Sequence, residues 1–442
     1  MDKVKTQKTN FEAFPDLYSN LLLSFSNPTI FFSLSVRFFF KFSVFLFPLL
    51  VALALFSGCN EKPTEITYNL LYDTTSVIPV SSDTVNFFRG GESKYVFAKI
   101  FNAGAVFIGA YNGYRAGAMF RFKETNLPDT LATWLTADQI DSVRIAFTFS
   151  RYVLGDSVNP NFSFKVFLIK EFWSNQVTWD SLFNDWQPNS RVEPVPIGSF
   201  SGRIELKDSM PDVYVSLQKD FIIDWLRKNK DSIPIWGILL APDPSCNIIH
   251  QINAQYIAEK EPPHPKIIVN YRHKDGSYRV WYIHSAIDAS VVKVPPIDTT
   301  KFVIQSGYSY RVKIGFDVSH IPLLSAIHYA ELELTIDPEN TLYGNFGLDT
   351  VFTGGYFGNA SLDSVPKVSF YGKRQGDKVY FQKVSTPIEL WLKDTRKGDL
   401  YFYSYYWNDV RSLNRIAFYG FDAPDPRKRP KLKIIYSKRF AR

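Results

Sequence analysis

Cysteine is nearly missing from this chain: Cys59 and Cys246 are the two among 442 residues. Sulfur-rich zinc sites are excluded, as is the disulfide framework that small exported domains use. Histidine is scarce as well. His250, His264, His273, His284, His320 and His328 show no metal-ligand spacing of the His-Glu-x-x-His kind, and each reads as a surface or turn residue. There is no Gly-x-Ser-x-Gly elbow and no phosphate-cradling glycine loop. Cys246 lies beside Pro244 and Asn247, without the base and orienting group a nucleophile needs. Acidic residues are plentiful, but no spacing selects a glycosidase pair. Asp243 and Asp425 sit in Pro-Asp-Pro turns and read as ordinary turn residues in preference to Ca²⁺ ligands. No nucleic-acid reader motif occurs. These absences predict a non-catalytic protein with no cofactor, no metal and no nucleic-acid partner.

What is abundant is aromatic. Phe and Tyr number 39 and 25, and aromatic residues make up 17% of the chain. With 45% hydrophobic residues, this composition predicts a folded, sheet-rich protein. At the N-terminus an apolar run over 42–58 follows Arg37 and Lys41 and ends Leu55-Phe56-Ser57-Gly58-Cys59. A cationic start, an apolar core and small residues before a cut are the parts of a secretory signal. The Ser-Gly-Cys ending resembles the bacterial lipobox, although Phe56 stands where that pattern prefers Leu. The resemblance implies a signal peptide over 1–58, lipidation of Cys59 and anchoring in membrane lipid. Asn60 after the cysteine leans toward the outer membrane. Asp2, Glu12 and Asp16 are foreign to a signal and place the true translation start near Val36. An uncleaved anchor is the alternative, since about 17 apolar residues is the lower limit for a span. If Cys59 is acylated, Cys246 has no disulfide partner.

The formal charge of +7 is uneven. Eight cations and no acids fall in residues 427–442. Lys431 and Lys433 alternate with Leu432 and Ile434, which predicts the outward face of a solvated edge strand. A basic tail touching lipid phosphates is the alternative.

After a tether over 59–66, strand-like segments follow at short spacing: 95–100, 105–108, 118–122, 142–149, 162–169, 213–217, 235–240 and 266–271. One helix is predicted over 219–229, where Phe221, Ile222, Trp225 and Leu226 form an apolar stripe. The second half repeats the first. Tyr114-Arg115 is echoed by Tyr310-Arg311, and the strand 141–145 by 330–334. Ala241-Pro242-Asp243-Pro244 is echoed by Ala423-Pro424-Asp425-Pro426, and the closing strand 265–271 by 430–436. Spacing between the last two echoes differs, which predicts an insertion near 246–261 in the first copy. The expected fold is all-β: two tandem antiparallel β-sandwich, jelly-roll-like domains over 67–275 and 276–442, divided at the polar turn 274–277.

The order Tyr114-Arg115…Phe120-Arg121-Phe122, Asp141-Ser142-Val143, Trp173-Ser174-Asn175-Gln176-Val177-Thr178-Trp179-Asp180, the Trp225 segment and Pro265-Lys266-Ile267-Ile268-Val269-Asn270-Tyr271 resembles the DNRLRE-type domain. That family is a β-sandwich grouped with carbohydrate-binding modules of family 96. The likeness covers 67–273; the second half lacks the Val-Thr-Trp strand and matches by order and closing strand. It implies polysaccharide binding. Sugar rings stack on exposed aromatic faces, and period-two alternation sends Tyr401, Tyr403, Tyr405 and Trp407 to one face of their strand. Trp173, Trp179 and Trp186 form a second cluster. The candidate stacking residues are Tyr401, Tyr403, Tyr405, Trp407, Trp173 and Trp186, with core or cross-strand packing as the alternative for each. Two functions follow: a lipid-anchored, polysaccharide-binding lipoprotein, or a structural or adhesion subunit among envelope proteins that binds no glycan.

Overall fold

The computed structural model describes residues 77–96, 100–205, 211–254, 265–307, 310–362, 364–405 and 410–438. The signal segment, the tether and Cys59 lie outside the described residues. Thr75–Arg442 form one compact unit. No helix among the described residues is long and apolar enough to cross a membrane.

The protein is all-β. Where aromatic and β-branched residues alternate with polar ones a strand buries one face: in Lys397–Ser404, Leu400 and Phe402 are fully buried while Tyr401 and Tyr403 are not. Among the described residues the strands form two large antiparallel sheets of ten and eleven strands. In the first sheet the long strand Ile140–Gly155 pairs with Asp212–Leu217 and Lys266–Arg272 along its first half and with Ile248–Asn253 along its second. Its ladder runs through Gly198–Ser201, Ser163–Leu168, Ile238–Pro242, Tyr114–Phe122 and Tyr278–Lys293 back to Lys266–Arg272, so the path closes. Curling buries a core that includes Phe120, Phe147, Phe164, Ile222 and Leu240. The second sheet curls until the isolated bridge Ile336↔Phe418 joins its two sides, around Phe316, Phe352, Phe381, Trp391 and Leu432.

The helix Asp220–Lys230 lies where its stripe predicts and buries Phe221, Ile222, Trp225 and Leu226. A second helix, Ser385–Leu392, buries Ile388, Trp391 and Leu392. Pro387 falls in its first turn, where the missing N–H costs nothing.

Three expectations change. The polar turn 274–277 is the loop of a hairpin, because Lys266–Arg272 pairs along its length with Tyr278–Lys293. The chain passes from the first sheet to the second between Lys293 and Phe302, while Val77–Ser81 and Phe88–Tyr95 belong to the second sheet. The basic strand Lys431–Ser437 is no edge: it lies between Val77–Ser81 and Ala326–Thr335, and Lys431 and Lys433 reach Asp83, Glu331 and Glu333.

The sheets meet across a sealed seam of Phe107, Tyr114, Tyr152, Ile249 and Leu413. Tyr114 donates to Gln305 Oε1 at 2.7 Å. The Tyr152 hydroxyl accepts the Leu413 N–H at 2.9 Å and donates to Asn414 Oδ1 at 3.3 Å. Burial pushes the Tyr114 phenol up to about 12, and that of Tyr152 up as well, so both stay neutral donors.

Candidate functional site

The hairpin around 274–277 builds one wall of a surface recess. Tyr271, His273, Arg279 and Trp281 of the hairpin line it together with residues of the segment 126–134. Between them lies a cleft of about 530 Å³ walled by Trp134, Tyr271 and Trp281, with Asn126, His273 and Arg279 as its polar groups. Trp281 is fixed by its indole N–H, which donates to Asn126 O at 2.6 Å. The Asn126 side chain in turn accepts the His284 N–H at 3.2 Å. Trp134 stands edge-on to His273 at 5.1 Å, and Lys274 Nζ lies 5.2 Å above the Trp134 ring.

Asp275, on the turn, orients the cationic side. It takes Arg279 at 2.9 Å and His273 Nδ1 at 3.2 Å. Hydrogen bonds from the Ser277 hydroxyl and N–H hold the Asp275 carboxyl well below the usual range, so it stays anionic. No carboxylate lines the cleft itself. Fixed indole faces beside hydrogen-bond donors can grip a hydroxylated ring.

The residues singled out from sequence fare differently. Tyr401 and Tyr403 share the outward face of Lys397–Ser404 and Tyr405 follows just past its end, each half-buried. Phe357 packs edge-on to Tyr401 at 5.6 Å, and the Arg311 guanidinium sits 4.3 Å above Tyr403. Tyr405 meets the exposed ring of Tyr371 at 5.7 Å. Trp407 lies outside the described residues. Trp173 is 4% exposed, with its indole N–H spent on Trp236 O, so it presents no ring face. Trp179 stacks on Phe183 at 4.0 Å in the core. Trp186 is half-buried beneath the Arg115 guanidinium at 4.2 Å. The segment 173–182 is no strand but a covering loop with one 3₁₀ turn, and it seals the outside of the first sheet. Trp134 and Trp281, which sequence reasoning missed, are therefore the better-placed indoles. The signal for Trp281 was a pair of aromatic and cationic strands flanking Asp275-Gly276; nothing local marked Trp134.

Other candidate chemistry is spent locally. Asp243 accepts from the Ser245 N–H and hydroxyl, and Asp425 from the Arg427 N–H, both as turn ligands. Cys246 is buried against Ser163, and burial pushes its thiol up. His264 lies outside the described residues. His250 is no surface residue: it is 2% exposed, edge-on to Phe149 and Phe162. Among the described residues no group of His, Cys, Asp or Glu is arranged to hold a metal ion. No protein-family model matches the chain, and no curated protein matches it.

Proposed function

We propose that this is an exported lipoprotein, held to the outer membrane of a cell envelope by acylated Cys59, that binds polysaccharide without altering it. Its body is read as two related antiparallel β-sandwich repeats of the DNRLRE type. The observation that carries the binding reading is the cleft. Trp134 and Trp281 offer ring faces beside the buried Tyr271, and Arg279, His273 and Asn126 offer polar contacts at one rim. Arg279 at the rim and the lack of a lining carboxylate suit a sugar that bears acid groups. The cleft of 75–442 should retain an acidic polysaccharide in affinity electrophoresis. Trp281→Ala should weaken retention about five- to thirtyfold, the loss of one stacked ring at about 1–2 kcal/mol. Equal retention of the variant, or none by the parent on any polysaccharide, would overturn the assignment.

Anchoring is tested separately. Several acyl chains at about 0.8 kcal/mol per buried methylene hold firmly. Cys59→Ser should release the protein from the membrane fraction and leave its melting curve unchanged, because the compact unit begins at Thr75. Retention of the variant would point to an uncleaved helix instead. A subunit of an envelope assembly is the second reading, favoured by the exposed row Tyr278, Val280 and Tyr282, of which Val280 and Tyr282 also border the cleft.

A further inference from the structure

We infer that the two repeats have exchanged their first strands, so that the strand preceding each repeat completes the sheet of the other. The inference rests on the repeat reading above and is carried by the pairing pattern. In the first sheet a series of hydrogen-bonded neighbours runs Tyr114–Phe122, Ile238–Pro242, Ser163–Leu168, Gly198–Ser201, Asp212–Leu217, Ile140–Gly155, Lys266–Arg272. In the second the series runs Tyr310–Asp317, Lys397–Ser404, Val351–Tyr356, Val368–Gln375, Lys378–Gln382, Ala326–Thr335, Lys431–Ser437. Taken in chain order, the members of the two series correspond one to one, and a helix precedes Ile238–Pro242 just as one precedes Lys397–Ser404. The side branch corresponds too. Ala105–Tyr111 pairs with Tyr114–Phe122 and Ile248–Asn253, as Phe302–Gln305 pairs with Tyr310–Asp317 and Arg415–Phe418.

What remains is the strand that joins the last member of each series to the first. In the first sheet it is Tyr278–Lys293, whose opening half lies on Lys266–Arg272 and whose closing half lies on Tyr114–Phe122. In the second sheet the same two places are taken by Val77–Ser81, on Lys431–Ser437, and Phe88–Tyr95, on Tyr310–Asp317. Yet Tyr278–Lys293 leads along the chain into the second repeat, and 77–95 leads into the first. Each repeat thus supplies the closing strand of its neighbour.

The donated strand is built into its host. Phe87 is fully buried in the second core, and Phe88 packs on Phe316 and Phe421 at 5.5 Å and 4.7 Å. Ser93 Oγ accepts the Val303 N–H at 2.7 Å. The two repeats are therefore not beads on a string. The chain enters through the second sheet, while the cleft belongs to the first.

Hydrogen exchange on the unit 75–442 tests this without any glycan. In Phe87→Asp, and in a chain shortened to begin at residue 97, amides of 312–316 and 431–437 should lose at least tenfold of their protection. Amides of 105–122, the nearest in sequence, should keep theirs. Loss confined to 105–122, or no loss in either place, would overturn the exchange while leaving the repeats and the cleft standing. Loss at 312–316 that appears in the parent on dilution would place the donor strand in a second copy and overturn the assignment within one chain.

Discussion

Replacing Asp288 by Asn should make stability climb by about 3 kcal/mol between pH 4 and 6.5, relative to the parent. Two buried groups oppose one another in that window. Asp288 is 4% exposed on Tyr278–Lys293, with one carboxylate oxygen on the N–H groups of Ala103 and Gly104 and the other unpartnered. Burial outweighs those two donors and pushes its pKa from 3.8 up to about 7. The unfolded chain therefore gives up this proton earlier. Stability from Asp288 is complete below pH 3.8 and is lost as pH rises to about 7, at about 1.4 kcal/mol per unit. His250 runs the other way. Burial among Phe149 and Phe162, with neither ring nitrogen partnered, lowers its pKa from 6.5 to about 4. The unfolded chain binds this proton first, so stability from His250 is complete above pH 6.5 and is lost as pH falls to about 4. Between pH 4 and 6.5 the two slopes cancel in the parent. Asp288→Asn unmasks the rise due to His250, and His250→Leu unmasks a fall of about 4 kcal/mol due to Asp288 over pH 3.8–7. Urea midpoints across pH 4–8 check both. A variant curve parallel to the parent's would mean that the replaced group titrates at its ordinary value.

Strand positions were legible because alternation is local. The segments 118–122, 142–149, 213–217 and 266–271 all fall inside observed strands. Partners were not legible, because nothing in Val77–Ser81 names Lys431–Ser437 as its neighbour more than three hundred residues away. The two Ala-Pro-Asp-Pro turns show the same limit. They share turn chemistry, but the first follows Ile238–Pro242 and the second follows Arg415–Phe418, which pairing matches to Ile248–Asn253. Once that strand is counted, the spacing calls for no insertion over 246–261. The cleft was hidden for a related reason. Its walls come from 126–134, 271–273 and 279–282, and the polar turn between the last two has the composition of a linker as well as of a hairpin. Trp173 and Trp179 drew notice as tryptophans, yet a loop that seals a sheet needs large apolar rings as much as a sugar site does.

Gly237→Ala should prevent folding, or cost more than about 4 kcal/mol, while Gly276→Ala should cost about 1 kcal/mol. Both glycines adopt the left-handed region, at φ +88° and +80°. An L side chain pays for that conformation at either site. They differ in what a Cβ meets. At Gly276, in the hairpin turn, nothing lies within 4 Å. At Gly237 the Cβ would stand 1.9 Å from Phe120 O and 2.9 Å from the Arg121 Cα, both backbone. Neither neighbour can swing aside as a side chain would. Retreat of residue 237 is blocked as well, because its own carbonyl accepts the Ile169 N–H at 3.0 Å and Ile238 is in register with Phe120 and Leu168. Easing the clash on one side breaks the ladder on the other, in the strand that carries Leu239 and Leu240 through two cores. Soluble yield and urea midpoints of the two variants isolate the steric part, since the conformational part is common to both. A Gly237→Ala protein within about 1 kcal/mol of Gly276→Ala would show that the first sheet can open at this strand, and that its closed ladder is far softer than its packing implies.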